Sequence, residues 1–146
     1  MSDVEPNERF WTDKAIAALA RRFGLDVNPY SQDWPWEVAD PRRLQDYVDA
    51  YDSGELTEDE KFVLMDMILQ AAEEQKDPLD ANPIYARILQ RLEQNFDLHR
   101  QQMTYWARLD SELEDAFSES PSLRRLLADD ARDERLGDST REDYGS

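Results

Sequence analysis

The chain is expected to be all-α, a compact bundle of five or six helices, and three observations point there. Helix starts recur: Asp40-Pro41, Asn82-Pro83 and Ser120-Pro121 each place a short polar residue before a proline, and Thr57-x-x-Glu60 is a capping box. Between these starts the apolar residues return at i, i+3, i+4 and i+7, the period of a helix with one buried face. Strand punctuation is nearly absent. At 146 residues the length fits one domain with a core of its own.

The first helix is expected over about 8–23, with Ile16, Leu19, Ala20 and Phe23 on one stripe and Gly24 as its stop. Residues 25–39 hold two prolines, and Trp34 and Trp36 alternate around Pro35 as in an extended segment. This stretch is therefore expected to be an aromatic, proline-braced loop between helices 1 and 2. Asp40 caps the second helix, whose stripe is Leu44, Tyr47, Val48 and Tyr51, and Ser53-Gly54 ends it. The capping box at Thr57 opens a third helix that is apolar almost all round over 62–72, as a central helix would be, with Asp66, Gln70 and Glu73 as its polar stripe.

A fourth helix follows Asn82-Pro83, marked by Tyr85, Ile88, Leu89, Leu92 and Phe96. The fifth is expected over about 98–117 on Met103, Trp106, Leu109, Leu113 and Phe117, and a short sixth carries Leu123, Leu126 and Leu127. The division expected is a disordered N-terminus over 1–7, one helical domain over 8–132 and a disordered acidic tail over 133–146.

Charge is the strongest compositional signal. The chain carries 34 acidic against 17 Lys and Arg residues, a net charge of −17, and residues 41–82 alone hold 12 acids and 4 bases, −8 of that total. Concentrated like charge costs a compact domain through self-repulsion, and an oppositely charged partner is one reason to keep it; solubility is another. An acidic surface repels nucleic acid and anionic membranes, so the partner expected is a basic protein rather than DNA, RNA or lipid. Zero cysteines exclude disulfides and thiol chemistry and fit a reducing cytoplasm. The N-terminus lacks the basic and apolar regions of a signal peptide, and no apolar run reaches the roughly 18–20 residues of a membrane span.

Chemistry-bearing motifs are scarce. Residues 49–60 match several positions of a calcium-binding EF-hand loop, including Gly54 and Glu60, but Tyr51 stands where an oxygen ligand is required. A glycine stop followed by a capping box explains the segment better, and no metal or cofactor is expected. His99, the single histidine, falls on the apolar face of the fifth helix, the position of a core histidine. No nucleophile elbow, phosphate loop or zinc-binding pair occurs, so an enzyme is not expected. Asp66 interrupts the apolar third helix and, if buried, needs a partner such as Arg87, Arg91 or Arg100. Tyr105-Trp106 is expected in the core. The contact surface expected for a partner comprises Asp46, Asp49, Asp52, Glu55, Glu58 and Asp59, with Tyr30, Trp34 or Trp36 as aromatic anchors, although core packing competes for at least one of the tryptophans.

Residues 36–44 (WEVADPRRL), Leu64-Met65 with Ile68-Leu69, and Leu98-His99 with Tyr105-Trp106 resemble small acidic bacterial proteins of the immunity type, over about residues 34–109. The likeness is one of size, acidity and helix pattern, and carries over no functional residue. It implies neutralisation of a cognate toxin, commonly a basic nuclease, by acids covering its positive cleft. Two other readings stand beside a non-catalytic binding protein: a helical scaffold or subunit of a larger assembly, and a metal-dependent regulator or enzyme.

Overall fold

The computed structural model describes residues 10–27, 31–76, 78–109, 111–112, 116–117 and 119–131, with the side chain of Asp80 excepted. Among them the fold is all-helical, without a strand. The expected disordered stretches 1–7 and 133–146, and Tyr30, lie outside the described residues. The helices are α1 (Asp13–Phe23), α2 (Trp34–Val38), α3 (Leu44–Asp52), α4 (Glu58–Glu73), α5 (Pro83–Gln94), α6 (Phe96–Ala107) and α7 (120–131), with 3₁₀ turns at Pro41–Arg43 and Leu79–Ala81. The chain groups into two compact units, residues 1–101 and 102–146.

In the first unit α4 is the hub. Every residue from Phe62 to Leu69 is buried, with Ala71 and Ala72, and α1, α2 and α3 all pack against it. Each fully buried Leu, Ile or Met side chain there contributes about 1.5–3 kcal/mol of transfer free energy. The capping box forms in full: Thr57 Oγ1 accepts from the Glu60 backbone N–H and the Glu60 carboxylate accepts from that of Thr57. Gly54 takes a left-handed φ of 78° in the turn before it, a conformation costly for a side chain with a Cβ.

Several expected boundaries move. Helix α1 begins at Asp13 because Thr12 caps it, its hydroxyl accepting from the Ala15 N–H at 3.1 Å; the backbone of Phe10 and Trp11 is not helical. It ends as expected at Gly24, where the Leu25 N–H bonds back to Ala20 O at 2.8 Å and Arg43 Nη1 donates to Phe23 O at 2.9 Å. Residues 34–38 are helical rather than extended. Pro35 sits in the first turn, where an N–H has no intrahelical acceptor, so the proline costs nothing there. Asp40 and Pro41 begin a 3₁₀ turn that passes directly into α3, and Asp40 accepts from the Arg42 N–H. Asn82 caps α5 as expected, through the Ile84 N–H.

The fifth expected helix stops ten residues early, at Ala107. Arg108 leaves the helix with φ 50°, and Leu109, expected on the buried stripe, is exposed. In the second unit the reason is visible. Ser120 Oγ donates to Trp106 O at 2.6 Å, and the Arg124 guanidinium donates to the carbonyls of Ala107, Arg108 and Ser111, so side chains from α7 satisfy the open end of α6. Phe117 packs on Trp106 at 4.5 Å between ring centroids, and the Arg108 guanidinium lies 4.8 Å from the Phe117 ring centre. Trp106 is buried as expected, whereas Tyr105 keeps much of its ring in solvent.

Candidate functional site

The acids expected to face a partner lie on α3, the turn after it and the first turn of α4, all in the first unit. Helix α3 presents Asp49 and Asp52 one turn apart, and α5, which packs against it, presents Arg87 and Arg91 at the same pitch. The four interlock. Asp52 accepts from Arg87 Nη2 at 2.7 Å and, side-on, from Arg91 Nε and Nη2 at 2.5 and 3.1 Å. Asp49 accepts from Arg87 Nη2 at 3.3 Å and from Gln45 at 3.0 Å. Only 21% of the Asp52 side chain is exposed. Burial alone would raise its carboxyl, but the hydrogen bonds from Arg91 and Arg87 outweigh that and hold it below the ordinary carboxylate range.

Glu55 and Asp46 also have arginine partners within the chain. Glu55 accepts from Arg22 Nη2 at 2.8 Å, which keeps its carboxyl low, and Asp46 stands 3.8 Å from Arg43 Nε. Both remain mostly exposed, and such surface pairs exchange readily with water. Glu58 and Asp59 sit in the first turn of α4, where acids complement the helix dipole. Part of this acidic surface is therefore laced with the chain's own arginines, and Asp49 and Asp52 tie α3 to α5.

The aromatic anchors divide. Trp34 is 3% exposed and its Nε1 donates to Asp26 O at 2.8 Å, so it is a core residue rather than an anchor; turning 34–38 into a helix points this ring inward. Trp36 is half-buried, meeting Trp11 edge to face at 5.1 Å. Tyr30 lies outside the described residues.

Beneath the ladder, Tyr51 turns inward from α3, as the helical stripe required. Its Oη is 2.6 Å from His99 Nε2 and accepts from Asn95 Nδ2 at 3.1 Å. His99 is fully buried, a core residue of the first unit. Burial pushes the Tyr51 phenol far above its ordinary range, against the opposing pull of the Asn95 hydrogen bond. With Tyr51 directed into the core and Glu60 closing the capping box, residues 49–60 form a helix junction. Among the described residues, no group of three or more His, Cys, Asp or Glu side chains could hold a metal ion.

Asp66 is buried at the middle of α4, and an indole is among its partners: Trp11 Nε1 donates to Asp66 Oδ2 at 2.8 Å. Arg87 and Arg91, two of the partners expected for Asp66, are engaged by Asp52. Sequence reasoning missed Trp11, 55 residues away, for which the chain offers no local signal. The α3–α5 ladder did have one, the matched spacing of two aspartates and two arginines.

Comparison with known protein families, with curated proteins and with solved structures finds no match to this chain. Among the described residues, no helix is long and apolar enough to cross a membrane.

Proposed function

We propose that the protein is a non-catalytic acidic binding protein that docks on a basic protein partner in the cytoplasm. The resemblance to bacterial immunity-type proteins makes a basic toxin domain the first partner to test. The observation that carries the reading is the net charge of −17. That figure already counts the arginines of the α3–α5 ladder, so the long-range field survives every intramolecular pair, while the local patch is weaker than the acid count suggests.

The roles of the residues shift accordingly. Asp49 and Asp52 hold α5 to α3, and the contact acids of the proposal are Asp46, Glu55, Glu58 and Asp59, with Trp36 as anchor. Charge of this kind raises association rate and selects partners more than it adds affinity.

Affinity capture from the native cell, followed by rate measurements on the complex, tests the reading. The captured protein should be basic, and association should slow at least about tenfold between about 50 and about 500 mM salt. Replacing Glu55, Glu58 and Asp59 by their amides should lower the on-rate with little change in the off-rate. A neutral or acidic partner, or an on-rate flat across that salt range, would overturn it. Concentration-dependent self-association in light scattering, with no partner captured, would point instead to a subunit of a larger assembly.

A further inference from the structure

We draw no further inference here: the strongest candidate, the surface beside α2 where Phe10 and Val27 are exposed next to Trp11 and Asp26, carries nothing because nothing in the structure shows what covers it.

Discussion

Asp52→Asn is the most direct test of the ladder between α3 and α5. The substitution keeps the shape and one acceptor but removes the anion that two guanidinium groups share, leaving Arg87 and Arg91 facing each other's charge. Hydrogen bonds to charged groups contribute about 1.5–3 kcal/mol where water is largely excluded, and fully exposed ion pairs about 0.2–1 kcal/mol. The side chains of Asp52, Arg91 and Arg87 are 21%, 26% and 34% exposed, between those limits. We expect a loss of about 1–2 kcal/mol at neutral pH, read from urea unfolding followed by far-ultraviolet circular dichroism. The sign with pH is set by the lowered carboxyl: its contribution is whole above the unfolded value of about 3.9 and disappears as pH falls through the folded one. The gap between wild type and variant should therefore narrow below about pH 4. A variant as stable as wild type at pH 7, or a gap that persists unchanged into acid, would refute the reasoning. Removing Arg91 should also cost less in the Asp52→Asn background than alone, since the two share one interaction.

Tyr51→Phe deletes the hydroxyl that meets both His99 and Asn95, and should cost about 1–3 kcal/mol in the same assay; a neutral result would mean the buried groups find other partners at no penalty. Tyr51 and Tyr47 both have phenols raised by burial, so their stabilisation is whole below about pH 10 and fades as pH climbs further. In an alkaline titration their tyrosinate absorbance should appear only with loss of helix, and full ionisation of all 6 tyrosines in an intact fold would contradict this. Trp11→Phe removes the indole that donates to Asp66 and should destabilise by about 1–2 kcal/mol; Asp66→Asn should be less harmful in that background, and strictly additive effects would break the assignment. Thr57→Ala opens the capping box of the central helix and should cost about 1 kcal/mol, with no effect counting against the cap.

Local chemistry was legible in the sequence and distant pairing was not. Thr57 with Glu60, Asn82 with Pro83 and Gly24 each announce a helix end within three or four residues, and each stands in the structure. The apolar run at 62–72 likewise named the hub, because only a central helix buries every face. Pro35 misled by its company: between two tryptophans it suggested an extended segment of a loop, yet one turn of helix tolerates a proline at its start. The end of α6 depends on Ser120 and Arg124, over a dozen residues beyond it, and no periodicity records such a bond. The docking acids were half legible. Their abundance is plain, but which of them an arginine on another helix will take is a matter of packing, as Asp52 and Glu55 show.

The placement of the indoles makes the molecule a reporter of its own opening. Of 4 tryptophans, Trp11, Trp34 and Trp36 belong to the first unit, where Trp11 meets Trp36 and the Asp66 carboxylate and Trp34 the Asp26 carbonyl, while Trp106 lies against Phe117 in the second. Three of the 4 indoles thus report on the region around α2 and the start of α1. Replacing Trp106 alone would leave a signal that follows that region, and the difference between the two melting traces would isolate the other end of the chain.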